Sequence, residues 1–73
     1  MNKQEAFKIV YEELKKCPLL MGKYDAKNGN EHFMYGVSTV MEAIAANISE
    51  EVQDEYLDTF NENMTKSEEK YKD

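Results

Sequence analysis

Apolar residues recur with helical spacing in three segments of this chain. The first segment predicts an amphipathic helix over about residues 3–17, because its apolar positions repeat every three or four residues: Phe7, Val10, Leu14 and Cys17. Pro18 is expected to end this helix, since the residue before a proline is pushed out of the helical region of backbone conformation. Cys17 is interpreted here as a small buried hydrophobe.

The second segment, over about residues 31–47, predicts the central helix of the fold. Asn30 is a suitable N-cap for it. Its apolar face consists of Phe33, Val37, Val40, Met41, Ile44 and Ile48. Beside that face runs a stripe of small residues that includes Gly36, Thr39 and Ala43. A glycine inside a helix costs about 1 kcal/mol relative to alanine, so Gly36 indicates the close approach of another backbone.

The third segment predicts a helix over about residues 50–71, which Asn47 or Ser49 can cap. Its apolar face consists of Val52, Tyr56, Leu57, Phe60 and Met64. The three segments together predict an all-α fold, a small three-helix unit that forms one domain over residues 1–73. Because the central helix carries a second stripe of small residues, we expect a helical bundle completed by homodimerisation. The expected contact residues are Tyr35, Gly36, Thr39 and Ala43.

The size and composition of the chain narrow the class of protein. A chain of 73 residues buries only about 60% of its unfolded surface, so association is one way to stabilise its small core. A single cysteine excludes a disulfide within the chain, and one cysteine with one histidine cannot complete a structural zinc site. We expect no metal and no cofactor. The chain begins without a recognisable secretory signal and has no apolar run that could span a membrane, which favours a cytoplasmic protein.

Charge is distributed unevenly along the chain. The net charge is −6, and all of it arises after Ile48, where the chain has nine acidic residues and three lysines. The nine basic residues are all lysines, so the chain lacks the bidentate arginine contacts of phosphate and guanine recognition, and direct nucleic-acid binding is not expected. Five acids fall on one side of the third helix and are called the acidic ridge: Glu51, Asp54, Glu55, Asp58 and Glu62. The ridge is either a solvated face or a docking surface for a basic protein.

A loop between the first and second helices holds most of the other unusual residues. Its candidate binding residues are Tyr24, Asp25, Lys27, Asn28 and His32. One interpretation is a capped connection that Tyr24 anchors; the other is a loop that contacts a ligand or partner. Gly22-Lys23 lacks the earlier glycine and the following Ser or Thr of a phosphate-binding loop, and residues 25–31 lack the spacing of a calcium loop.

Several stretches of the chain resemble small hypothetical proteins of Gram-positive bacteria. The resemblance is centred on residues 24–27, 33–36 and 63–69, within GKYDAKNGNEHFMYGVSTVMEAIA and NENMTKSEEK. No established activity comes with this group. The resemblance implies only a bacterial, cytoplasmic setting, and a mobile element would be compatible with it.

The functional hypotheses follow from the lack of any acid–base or nucleophile constellation, which argues against an enzyme. The leading hypothesis is a non-catalytic protein-interaction module that acts by stoichiometric binding and self-associates. One alternative is an inhibitor encoded by a phage or mobile element, which would occlude a basic nucleic-acid-binding host protein with the acidic ridge. Another is a small-molecule or nucleotide sensor with a pocket at a dimer seam around Tyr24, Lys27 and His32.

Overall fold

The fold consists of three α helices and one short 3-10 helix. The computed structural model of the chain describes residues 1–70. Helix α1 spans Lys3–Leu14, the 3-10 helix Pro18–Met21, α2 Glu31–Ala46 and α3 Glu50–Glu69. The predicted all-α, three-helix fold is confirmed. The last position predicted for the third helix, residue 71, lies outside the described residues.

Each α helix begins at a side chain that caps its free backbone amides. The Asn2 side chain accepts a hydrogen bond from the Glu5 amide at 2.8 Å. Asn30 accepts two, from the amides of His32 at 2.8 Å and Phe33 at 3.3 Å, as its predicted capping role requires. Of the two residues predicted to cap the third helix, Ser49 does so, since its hydroxyl accepts from the Val52 amide at 3.1 Å. Such caps each stabilise a helix by about 1 kcal/mol.

Helix α1 is shorter than predicted, and its predicted apolar face is only partly buried: Leu14 packs against the core, whereas Val10 is 48% exposed. It ends at Leu14. The next turn is tighter, because the Lys16 amide donates a hydrogen bond to the Glu13 carbonyl and the Cys17 amide donates one to the Leu14 carbonyl. Cys17 has the extended backbone that a following proline imposes, so it leaves the helix and lies exposed. The predictions that the helix reaches residue 17 and that Cys17 is buried are therefore wrong.

The core lies between α2 and α3 and is completed by α1 and the 3-10 helix. Its buried side chains are Tyr11, Met34, Met41, Ala45, Tyr56, Phe60 and Met64. The Tyr56 ring meets Tyr11 edge-on, with centroids 6.3 Å apart, and lies 5.7 Å from the Phe60 ring. The Tyr56 hydroxyl donates a 2.7 Å hydrogen bond to the Leu20 carbonyl, which ties the 3-10 helix to α3. Tyr56, Phe60 and Met64 belong to the apolar face predicted for the third helix, which is confirmed.

Helix α2 is central, as predicted, but its buried face agrees with the predicted face only in part. It packs against α1, α3 and the 3-10 helix. Its buried residues are Met34, Ser38, Met41 and Ala45. Met41 belongs to the predicted face, and the predicted Ile44 and Ile48 are partly buried against the core. Phe33 and Val40, predicted to be core, are 58% and 61% exposed. Met34, Met41 and Ala45 belong to the same core cluster as Tyr56, Phe60 and Met64 of α3.

The described helices form a rod. The principal extents are 49 × 18 × 18 Å, and the Cα radius of gyration is 13.1 Å, against about 11 Å for a compact chain of this length. The accessible surface of 5157 Å² likewise exceeds the roughly 4,700 Å² expected of a globule of this mass. A rod of this shape leaves long helix faces uncovered.

Candidate binding surfaces

The outer face of α2 is an exposed, mainly apolar surface on the side of the helix away from the core. We define it by six exposed residues: Phe33, Tyr35, Gly36, Thr39, Val40 and Ala43. All four residues predicted to mediate self-association belong to it. A Cβ atom built on Gly36 would have no neighbour within 4 Å, so the glycine meets nothing inside the chain. The predicted close approach at Gly36 therefore does not occur within one chain.

The polar groups of this outer face are satisfied inside the helix. The Tyr35 hydroxyl donates to a Glu31 carboxylate oxygen at 2.9 Å, and this contact raises the pKa of the phenol. The Thr39 hydroxyl donates to the Tyr35 carbonyl, also at 2.9 Å. Neither hydroxyl would therefore have to lose its hydrogen-bond acceptor if another surface covered it.

The loop between the 3-10 helix and α2 is held against the C-terminal half of α3. The Tyr24 amide donates to the Ser67 hydroxyl at 3.2 Å, and the Tyr24 hydroxyl donates to a Glu68 carboxylate oxygen at 3.1 Å. Asn63 donates its side-chain amide to the Met21 carbonyl at 2.7 Å. Burial of Tyr24, followed by the Glu68 contact, raises the pKa of its phenol. Tyr24 thus anchors the loop, which is the structural role that one interpretation of the sequence assigned to it.

Two glycines let this loop lie close to its neighbours. Gly22 has φ +88°, and a Cβ there would fall 2.6 Å from the Phe60 carbonyl oxygen. At Gly29 a Cβ would collide with the Tyr24 ring. Both positions therefore require glycine, and the backbone from 22 to 29 follows a path fixed by α3 and Tyr24.

The remaining loop candidates separate into two groups. Asp25 organises the turn: one carboxylate oxygen accepts from the Lys27 amide at 3.1 Å and the other from the Asn28 side chain at 2.7 Å. This pattern is an Asx turn, in which a carboxylate shapes its own loop. His32 lies exposed in the first turn of α2. Of the five loop candidates, Asp25, Lys27 and Asn28 meet in one turn, and Tyr24 is hydrogen-bonded to α3.

The acidic ridge lies on the solvent side of α3. All five of its residues are exposed. Glu62, at its C-terminal end, forms a 2.9 Å ion pair with Lys66, as the spacing of the two residues predicts. Earlier in the helix the ridge places like charges four residues apart, for instance Asp54 and Asp58, and these destabilise it.

In the described part of the chain, a cavity borders each half of α3. The larger, about 520 Å³, lies between the loop and the C-terminal half of α3, and it is lined by Lys23, Tyr24, Asp25, Asn63, Lys66, Ser67 and Lys70. The smaller, about 260 Å³, lies between α1 and α3, and it is lined by Lys8, Tyr11, Glu12, Lys15, Ile48, Val52 and Glu55. Burial, and then the charges of Glu55 and Glu12, raise the pKa of the Tyr11 phenol in that smaller cavity.

Of the seven residues that line the larger cavity, Tyr24 and Asp25 are among the loop candidates predicted from the sequence, and the other five are not. Lys23 was considered only as part of a phosphate-binding loop, and Lys66 only as the partner of Glu62. The available signal was the pair Asn63 and Ser67, two polar residues four apart that adjoin the apolar face of α3. Their partners lie more than 40 residues away along the chain, at Met21 and Tyr24.

In the part that the structure describes, no three His, Cys, Asp or Glu side chains form a group that could hold a metal ion. Among residues 1–70, no helix combines the length and the apolar character that crossing a membrane requires. Comparison of the chain with protein families, with curated proteins and with solved structures finds no match.

Proposed function

We propose that this chain is a non-catalytic protein-interaction module that acts by stoichiometric binding and self-associates through the outer face of α2. The observation that carries the proposal is the exposure of Phe33 and Val40 on that face, 58% and 61%, around a glycine that meets nothing inside the chain. Exposed apolar surface of this kind marks interaction sites in small soluble domains.

A second copy of the chain fits this face better than a charged partner does. Helix α2 carries only two acids, Glu31 and Glu42, in a chain whose net charge is −6. Two copies that meet through α2 keep their acidic ridges on α3 away from the contact, which limits the repulsion between two acidic chains. Gly36 supports close approach of the two helices, since it adds no side chain between them.

The test is the mass in solution, measured by light scattering after size exclusion at low and high salt. We expect a dimer at both salt concentrations and a monomer for Val40→Glu. The matched control is Ile9→Glu, which replaces a hydrophobe of similar exposure on α1 by the same charge and should remain dimeric. A monomeric wild-type chain, or an equal effect of the two variants, contradicts self-association through α2.

The acidic ridge supports a second part of the proposal, a basic protein partner. Its five carboxylates are exposed and keep like-charge pairs that cost about 0.2–0.5 kcal/mol each, which a partner's lysines and arginines would relieve. The alternative of an inhibitor that occludes a basic nucleic-acid-binding protein uses this same surface, and it remains a candidate on that observation.

A charge-matched comparison tests the ridge. One variant replaces the five acids of the ridge by Gln or Asn. The control makes the same replacement at five exposed acids elsewhere: Glu5, Glu12, Glu13, Glu50 and Glu69. We expect only the ridge variant to lose the proteins captured from host lysate, and only it to lose inhibition if the chain is an inhibitor. Equal loss in both variants would reduce the effect to net charge. If the wild-type chain captures nothing reproducibly, the partner hypothesis is wrong.

A further inference from the structure

We infer that the smaller cavity, between α1 and α3, binds a free amino acid with an aliphatic side chain. This site goes beyond the proposed function, because it lies apart from the outer face of α2 and shares only Glu55 with the acidic ridge. Its volume of about 260 Å³ is just below the roughly 300–1,000 Å³ of sites for drug-sized ligands, so it suits a smaller molecule.

The hydroxyl group of Tyr11 is the strongest indication of a ligand. Tyr11 is only 5% exposed and lines the cavity. Among residues 1–70 its hydroxyl has no hydrogen-bond partner, whereas the hydroxyl of the other buried tyrosine, Tyr56, donates to the Leu20 carbonyl at 2.7 Å. In the same part of the chain, every side-chain nitrogen or oxygen that is fully enclosed has a partner, so the Tyr11 hydroxyl is open to the cavity. A polar group this deeply placed requires a partner, which the cavity has to supply.

The charged residues of the lining match a zwitterion. Glu12 and Lys15 pair with each other at 3.9 Å, and the Lys15 ammonium lies 5.2 Å from the centroid of the Tyr11 ring. Lys8 on α1 and Glu55 on α3 form no ion pair within residues 1–70. The cavity therefore offers one cation and one anion from opposite walls, which complement the carboxylate and the ammonium group of an amino acid.

The Tyr11 hydroxyl lies on the side of the cavity that would hold the ammonium group. Burial, followed by the charge of Glu55, raises the pKa of the Tyr11 phenol, so this carboxylate is close to the hydroxyl. An ammonium group at Glu55 carries three donors, and one of them can bond to the Tyr11 hydroxyl oxygen. The ligand carboxylate then lies toward Lys8.

The remaining lining residues, Ile48 and Val52, select an aliphatic side chain. Both are partly buried and pack against the core, so they form an apolar wall. The Ile48 carbonyl already accepts a hydrogen bond from the Gln4 side-chain amide, which holds α1 against the start of α3. The edge-on contact of the Tyr11 and Tyr56 rings, 6.3 Å between centroids, holds α1 there a second time. The walls are therefore in place before a ligand binds, which lowers the entropic cost of binding.

The test is calorimetric titration of the full chain with four probes. L-valine is the expected ligand, valinamide lacks its carboxylate, N-acetylvaline lacks its ammonium charge, and glycine lacks its side chain. We expect one L-valine per chain and about tenfold weaker binding of the other three, because a hydrogen bond to a charged group, or the burial of an aliphatic side chain, contributes about that much.

The variant Tyr11→Phe separates binding from folding. It removes only a hydroxyl without a partner in the described chain, so the urea midpoint of the unliganded chain should not fall, whereas the affinity for L-valine should fall about three- to tenfold. Lys8→Met and Glu55→Gln keep the length of each side chain and should weaken binding about tenfold. Glu50→Gln is the matched control for Glu55→Gln, since Glu50 lies exposed on the same helix, outside both the cavity and the ridge. It should change the affinity by less than about twofold, because salt screens distant charges.

Several outcomes would overturn the inference. They are no binding of L-valine at millimolar concentration, equal binding of valinamide or N-acetylvaline, and equal effects of Glu50→Gln and Glu55→Gln. An unchanged affinity in Tyr11→Phe would assign its hydroxyl to water alone, and a lower urea midpoint would assign it a structural role; either result contradicts the site. Tyr11→Phe and Lys8→Met keep all five acids of the ridge, so their effects do not depend on a basic partner. A monomeric chain that binds L-valine would overturn self-association while leaving this inference standing.

Discussion

The same substitution at two glycines should change stability in opposite directions. Gly22 has φ +88°, and a Cβ there would lie 2.6 Å from the Phe60 carbonyl oxygen and 3.1 Å from the Phe60 ring. Gly36 is an exposed residue of α2 where a Cβ would meet nothing within 4 Å. Alanine at these two positions therefore compares a strained, crowded site with an open helical one.

For Gly22→Ala we expect a loss of about 2–3 kcal/mol in the free energy of unfolding. The left-handed conformation costs an alanine about 1–2 kcal/mol. Overlap with the α3 backbone costs a further 1–3 kcal/mol or so, since a backbone carbonyl cannot move aside as a side-chain tip can. The smaller entropy of the unfolded alanine chain offsets about 0.4–1 kcal/mol of this. This loss is a large part of the total free energy of unfolding, which is expected to be roughly 4–11 kcal/mol for a domain of this size.

For Gly36→Ala we expect a gain of about 0.5–1 kcal/mol, the helix propensity of alanine over glycine. Urea unfolding followed by far-ultraviolet circular dichroism measures both changes. It should be run at a protein concentration low enough that any dimer has dissociated. With a slope of about 1 kcal/mol per molar urea, the midpoint should fall by about 2–3 M in one variant and rise by about 0.5–1 M in the other. Midpoints that move in the same direction would refute the assigned environments of the two glycines.

Three further predictions concern α2 and α3. Asn30→Ala should lower the free energy of unfolding by about 1 kcal/mol in urea, because two amides lose their cap, whereas Asn30→Asp should retain most of it. Burial raises the pKa of Tyr56 above its ordinary value of 10.0, so the folded chain holds this proton after the unfolded chain has lost it. Stability should therefore be intact below pH 10 and fall as the pH rises above it, and Tyr56→Phe, compared with wild type in urea from pH 8 to 11, should flatten that fall. Asp58→Asn should raise the free energy of unfolding by about 0.4–1 kcal/mol at low salt by relieving repulsion from Asp54 and Glu62, and the gain should shrink in high salt; an equal gain at both salt concentrations would contradict an electrostatic cause.

The position of the dimer contact matters for how these variants are interpreted. Gly36 belongs to the outer face of α2, where we propose that a second chain packs. The methyl group that stabilises the monomer in Gly36→Ala should then weaken the dimer, because it separates the two helices. Light scattering over a concentration series measures this second effect, and a dimer that survives unchanged would argue for a contact elsewhere on the rod.

The presence and type of the helices could be predicted because the evidence for them is local. Periodic apolar residues, the caps at Asn30 and Ser49 and the proline at position 18 each act within one or two helical turns. The face of α3 could also be predicted, because its apolar positions form one narrow stripe and the acidic ridge occupies much of the other side. Only the buried stripe there avoids placing carboxylates in the core.

The buried face of α2 could not be predicted in the same way. This helix has only two charged side chains, and its apolar and small residues cover most of its circumference, so periodicity does not select a side. Packing against α1, α3 and the 3-10 helix selects Met34, Ser38, Met41 and Ala45 as the buried residues. Phe33 and Val40 remain outside although both are apolar.

The sequence by itself therefore determined three helices, the caps of the second and third, their order, and the acidic side of the third. Only the tertiary structure decided which side of α2 faces water and where the loop packs on α3. Hydrogen bonds join Met21 to Asn63 and Tyr24 to Ser67, which lie 42 and 43 residues apart along the chain. No local pattern can specify such contacts, because they depend on how two helices and a loop pack together after each has formed.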